Sequence, residues 1–128
     1  MSYFSKSKNV KELDSSAFNP VKSPHLKSKN CSAILFYSPS CPHCKNVKGT
    51  WDELGKKALF IDILAFNCEK YNTHLMKIKE EYPDLIKGFP TIVFYKNGIP
   101  VSQQPPDRRE FENLLKACKE VCKGEDGI

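Results

Sequence analysis

Arginine is nearly absent from this chain: 18 of its 20 basic residues are lysine and 2 are arginine. Proteins that grip nucleic acid use the planar guanidinium for bidentate contacts and gather their cations on one element. Here the lysines are spread through tail, helices and turns, so the net charge of +5 is read as solvation and no nucleic-acid partner is expected. Long apolar runs are missing as well. None approaches the ~20 residues that a membrane-spanning helix needs, and Ser2-Tyr3-Phe4-Ser5-Lys6-Ser7-Lys8 lacks the apolar core of a secretory leader. No membrane partner is expected. The expected setting is the cytoplasm, or a virion if the source is a large DNA virus. There is no internal repeat and no sizeable low-complexity segment. With 128 residues, 40% of them hydrophobic, the chain reads as one monomeric domain over residues 10–123, with a polar, mobile tail at 1–9 and another tail at 124–128.

What is present in quantity is cysteine, six in all. Two of them form Cys41-Pro42-His43-Cys44, which follows the apolar run Ala33-Ile34-Leu35-Phe36-Tyr37 and precedes a stretch with Val47, Trp51 and Leu54 at helical spacing. That order reads strand, Cys-x-x-Cys, helix. The thiolate is the nucleophile in disulfide exchange, and a cysteine at a helix start faces unpaired N–H groups and the positive end of the helix dipole. Cys41 is therefore expected to attack, and Cys44, one turn later, to resolve the mixed disulfide. Pro42 at the first helical position costs no hydrogen bond. His43 can carry charge, and its ring N–H is expected to bond the Cys41 thiolate. No cofactor or metal is needed for this chemistry.

A second stretch, Gly88-Phe89-Pro90-Thr91-Ile92-Val93-Phe94-Tyr95-Lys96-Asn97-Gly98, reads as a turn, an X-Pro bond, a strand and an Asn-Gly hairpin turn. Together with Phe36-Tyr37, Pro39, Cys41-x-His43-Cys44-Lys45 and Thr50-Trp51-Asp52-Glu53-Leu54, it resembles the thioredoxin superfamily, and within it the catalytic domains of protein disulfide isomerases. The resemblance implies a thiol-disulfide oxidoreductase that forms, reduces or isomerises protein disulfides, with protein thiols or disulfides as partners besides an electron donor or oxidase. It also implies a cis bond before Pro90, a proline lying beside Cys41, and a substrate groove over Phe89, Pro90 and Thr91. The implied fold is α/β: βαβαβαββα, a mixed sheet in the order 1-3-2-4-5 with helices on both faces. Strands are expected at residues 10–13, 31–37, 59–66, 91–95 and 99–102. Helices are expected after Ser15 or Ser16, from the motif, at 71–82 with Tyr82 on the apolar face, and at 108–122. The last helix takes Asp107 as N-cap and Glu110 as its reciprocal partner.

The other cysteines have plainer readings. Cys118 and Cys122 are four apart on the last helix, with Cβ atoms about 5–6 Å apart, too far for a disulfide. Both are expected to be buried and reduced. Cys31 opens one strand and Cys68 ends its neighbour, so those two cannot pair, and Cys68 is expected to be packed at the active-site edge. His25 and His74 are expected on the surface. A zinc module built from Cys41, Cys44, Cys118 and Cys122 is disfavoured, because four ligands must converge. A redox-silent peptide-binding or structural role, or a thioredoxin-like reductant, are the alternative functions.

Four departures from the resembled pattern limit the mechanism. Leu35 stands where the family usually has a buried carboxylate, which leaves Glu53, Lys45 or water as the substitute. Ser40 stands for a common Trp, and Gly49 for a kinking proline. Gln103-Gln104-Pro105-Pro106 replaces a glycine-containing connection. The Pro-His pair between the cysteines leads us to expect a disulfide more oxidising than that of ordinary thioredoxin.

Overall fold

Two apolar runs make the centre of the sheet because a strand covered on both faces must be apolar at every position. All six residues of β2 (Ser32–Tyr37) are buried, as are all but the first of β3 (Asp62–Asn67). The computed structural model describes residues 2–102 and 104–123. The proposed tail at 124–128 lies outside the described residues. Around the central pair run β1 (Lys11–Leu13), β4 (Thr91–Lys96) and β5 (Ile99–Pro100), in the order β1-β3-β2-β4-β5. β3 is parallel to β1 and to β2, whereas β4 is antiparallel to β2 and to β5. Asn97 and Gly98, with φ of 55° and 81°, make the β4–β5 turn, and a side chain at Gly98 would come within 2.6 Å of the Leu26 carbonyl.

The helices divide the core in two. α1 (Pro42–Lys57) and α3 (Phe111–Val121) cover one face, with Cys44, Val47, Trp51, Leu54, Leu114 and Cys118 packed on Leu35, Tyr37 and Ala65. α2 (Asn72–Glu81) covers the other, setting Leu75 and Ile78 against Phe36 and Phe66. Trp51 is fully buried, and its indole N–H donates to the Leu64 carbonyl at 2.9 Å. Truncating it to alanine should cost about 3–5 kcal/mol. α1 runs without interruption through Gly49.

The structure corrects several expectations. The first helix is a single 3-10 turn (Ser15–Ala17), and its cap is Asp14, whose carboxylate accepts from Ser16 N–H at 2.8 Å. Leu59 and Phe60 are outside β3: a turn closed by Ile61 N–H to Ala58 C=O leaves Leu59 86% exposed. α3 begins after Glu110 with no capping side chain, since the Glu110 carboxylate pairs with Arg108 at 3.1 Å instead of reaching back. Tyr82 follows α2 and turns its hydroxyl to the His25 ring at 3.1 Å. His74 is buried, with its Nε2–H donating to the Ser23 carbonyl at 3.1 Å and its ring 4.6 Å from that of Phe18.

Two corrections bear on the site. Residues 2–9 are not a loose tail: Phe4 is 3% exposed in the core. Cys122 is not reduced; it is bonded to Cys31, closing a sequence separation of 91 with Cα atoms 5.8 Å apart. Sequence spacing compared Cys122 only with its helix neighbour and Cys31 only with Cys68. Packing α3 on the sheet brings the helix C-terminus to the start of β2. Cys118 is free and buried, as expected, and Cys122, being bonded, is not available as a zinc ligand.

Candidate active site

The C-terminal end of β2 delivers the chain into Ser38-Pro39-Ser40 and then into α1. Cys41 is the N-cap and Pro42 opens the first turn, as the missing N–H allows there. The turn is held by Cys41 N–H donating to the Ser38 carbonyl at 3.0 Å and Cys44 N–H to the Cys41 carbonyl at 3.2 Å. Cys41 is partly exposed and Cys44 is buried. Opposite them the Phe89–Pro90 bond is cis, and the Cys41 thiol lies 3.6 Å from the Phe89 carbonyl, to which it donates. Thr91 follows, its hydroxyl turned back to the Gly88 carbonyl at 2.5 Å. The structure thus brings Cys41, Pro42, Cys44, Phe89, Pro90 and Thr91 to one edge of the sheet, where open α/β sheets carry their sites.

The two sulfurs sit in different electrostatic surroundings. Burial acts to raise the Cys41 thiol. Hydrogen bonds from the Cys44 thiol and from the backbone N–H groups of Cys44 and His43 outweigh it and hold Cys41 below the ordinary cysteine value. Burial pushes Cys44 up to about 11, helped by the hydrogen bond and charge of Cys41 and opposed by the Ser38 backbone and the Arg109 cation. An accessible, stabilised thiolate beside a buried, protonated thiol is the arrangement for attack first and resolution second. His43 takes part through its backbone; the exposed ring makes no hydrogen bond among the described residues, contrary to expectation.

Four residues that sequence reasoning missed act on the pair or on the end of β2 that leads to it. Glu69, in the turn after β3, accepts from the Ser38 hydroxyl and from Ser40 N–H at 2.9 Å, and these bonds hold its carboxyl below the usual range. It clamps the segment that precedes Cys41. Arg109 acts on Cys44 from the stretch before α3. Tyr3 reaches the site from the N-terminal segment. Glu12 lies on β1 in register with Ala65, which is itself in register with Leu35. Its Oε2 accepts from Tyr37 O–H at 2.5 Å and from Phe4 N–H at 2.9 Å, and its buried Oε1 has no partner among the described residues. Leu35 is fully buried and apolar. Glu53 is spent on Lys57 at 3.1 Å on the outer face of α1, and Lys45 is exposed, so neither serves the cysteines. Cys68 is buried on the opposite face of the sheet, with its thiol pushed up to about 12 by burial. No such long-range contact leaves a signal in local spacing.

Comparison with known proteins identifies the family and the fold. The family described as Thioredoxin matches residues 9–120. The chain is 29% identical to Protein disulfide-isomerase 5-2 of Arabidopsis thaliana over 106 residues, covering 80% of this chain and 22% of that protein. It is 31% identical to Protein disulfide-isomerase A5 of Mus musculus over 101 residues, covering 74% and 19%. The J-Trx1 fragment of ERdj5 superposes with a TM-score of 0.71 at 23% identity, covering 94% of this chain and 53% of that one. The chain therefore spans about a fifth of the length of these curated relatives.

Proposed function

The chain belongs to the thioredoxin family, and from that premise we propose that it is a thiol-disulfide oxidoreductase acting on protein substrates through Cys41 and Cys44. The observation that carries the reading is the contrast between the two sulfurs, one accessible and held below the ordinary cysteine value, the other buried and raised to about 11. The Cys41 thiolate attacks a substrate disulfide, forming a Cys41–substrate S–S bond and expelling the other substrate sulfur as a thiolate. Cys44 then gives up its proton and attacks the Cys41 sulfur. The second substrate thiolate leaves, the Cys41–Cys44 disulfide forms, and the substrate has gained two electrons. Run backwards, the same steps oxidise a dithiol, so compartment and redox partner set the direction.

The proposed substrate groove is Phe89, Pro90 and Thr91, whose Phe89 carbonyl lies beside the Cys41 sulfur and would accept from an extended substrate chain once Cys41 has given up its proton. The helix start and the two backbone N–H groups stabilise the Cys41 thiolate, and hence the reduced form. The proposed disulfide is accordingly more oxidising than that of thioredoxin, about −270 mV. The test is a titration of the pair against glutathione buffers, joined to an iodoacetamide rate profile of Cys41 against pH. The expected result is a potential above the thioredoxin value and a Cys41 midpoint below that of an ordinary free cysteine. A midpoint at the ordinary thiol value, with no mixed disulfide trapped on a Cys44→Ser variant, overturns the reading.

A further inference from the structure

The N-terminal segment lies ahead of most of the family match, yet it is bonded to the elements on either side of the thiol pair. Ser2 Oγ accepts from Asn67 Nδ2 at 3.2 Å, and Phe4 N–H donates to Glu12 at 2.9 Å. Ser7 Oγ donates to Asp52 on α1 at 2.5 Å. Between these anchors Tyr3 stacks on Tyr37, with ring centroids 4.5 Å apart, and donates its backbone N–H to the Tyr37 hydroxyl at 2.9 Å. Its own hydroxyl donates to the Pro39 carbonyl at 3.2 Å, two residues before Cys41. Tyr3 packs against the core cluster that contains Cys44 and Tyr37, and the Lys48 ammonium stands 5.1 Å over its ring. Burial first, and then charge on Cys44 and on Cys41, disfavours the Tyr3 phenolate, which agrees with that closeness. Among the described residues, the titratable groups that act on or feel the charge of Cys44 are Cys41 on its own turn, Arg109 before α3, Cys68 just after β3 and Tyr3 on this strap.

We propose that Tyr3 is a positioning residue for the resolving step: it closes the strap of residues 2–9 over the α1 face, keeps water from the Cys44 sulfur, and so sets the pH at which Cys44 attacks. The physical reason is that a thiolate shielded from water is disfavoured, while a neutral thiol is hardly affected. A closed strap holds Cys44 protonated and prolongs the mixed disulfide on Cys41. An open strap shortens it. The proposal rests on Cys44 resolving a mixed disulfide of Cys41, as set out above.

The test uses the aromatic disulfide dithiobis(nitrobenzoate) on the reduced full chain. Cys41 attack releases one thionitrobenzoate and leaves an aryl mixed disulfide. Cys44 attack on the Cys41 sulfur releases the second and forms the Cys41–Cys44 disulfide, with the Cys44 proton passing to water. A Cys44→Ser variant, which lacks the second release, identifies that phase. In Tyr3→Ala the midpoint of the second phase against pH should fall by about one unit or more. Its rate at neutral pH should rise about threefold per unit, because greater thiolate content outweighs the lower nucleophilicity. Tyr3→Phe keeps the cover and should leave the midpoint in place. Ser7→Ala loosens the strap at a remote anchor and should move the midpoint in the same direction by less. An unmoved midpoint in Tyr3→Ala, whatever happens to the melting temperature, overturns the proposal, as does a Tyr3→Phe shift as large as that of Tyr3→Ala. Should Tyr3→Ala not fold, an unmoved midpoint in Ser7→Ala overturns it. A wild-type chain with no second phase overturns the dithiol reading itself.

Discussion

The two ends of β2 carry cysteine pairs of opposite kinds. At its start Cys31 is 5% exposed and bonded to Cys122, itself 8% exposed, across most of the chain. Beyond its end, Cys41 and Cys44 are three residues apart and free. The far pair has its two sulfurs joined to each other and sealed in the core, so neither is a thiol that can attack. The near pair has one sulfur open to solvent, with hydrogen bonds that favour its charge. Cysteine content therefore says little about redox chemistry; access and the stabilisation of a thiolate decide it. The bridge ties α3 to the sheet, and the free pair works on the scaffold so tied.

The sharpest way to separate the two ends is to remove the bridge. Cys122→Ala should lower stability by about 4–5 kcal/mol on the chain-entropy account for a loop this long. That is on the order of 10–20 °C in melting temperature. Exchange by Cys41 measured at low temperature should keep its rate and pH midpoint. Denaturation in urea and an alkylation profile on the same variant check both halves. A variant that loses exchange while still folded would show the ends to be coupled.

A smaller effect tests the other end. Arg109→Gln removes the cation that lowers Cys44, so the Cys44 thiol should rise further and resolution slow about threefold per unit of that rise. Stability should move by no more than about 0.5 kcal/mol, as for other exposed surface changes. Stopped-flow release of the second thiol product, set beside a melting curve, distinguishes the two.

The smallest effect comes from a group apart from both ends. Burial lowers His74 below its ordinary 6.5, so the folded chain binds its proton less readily than the unfolded chain does. Stability contributed by the neutral ring is present above about 6.5 and is lost as pH falls through the folded value. Urea midpoints between neutral and mildly acid pH should fall for the wild type and fall less for His74→Gln. A slope that His74→Gln leaves unchanged would show that His74 does not cause the loss; the lowered carboxyls of Glu69 and Asp14 release their contribution only at more acid pH, below that window.

The legible parts of the fold were those with a local signature. β2 and β3 declare themselves by unbroken apolar runs, α1 by Val47, Trp51 and Leu54, the hairpin by Asn97-Gly98, and the thiol pair by its spacing before a helix. Where two local signals competed, the reading failed. Leu59 and Phe60 extend the apolar run of β3 but belong to a turn, because the bond from Ile61 to Ala58 ends α1's exit there. Asp107 and Glu110 match a capping pattern, yet Glu110 found Arg108 nearer. His74 sits among polar neighbours in sequence, and only the packing of α2 on Phe18 and Phe66 reveals that it is buried.

By itself the sequence determined the order of strands and helices, the family, and which two cysteines begin a helix, since each of these depends on residues within a few positions of one another. Tertiary structure alone decided that Cys122 meets Cys31, that Glu69 and Arg109 flank the thiols, and that Tyr3 closes over the face where Cys44 lies. Those contacts join residues 29 to 91 positions apart. Such pairs leave no periodicity to read, because they arise only when sheet register and helix packing have set the distances.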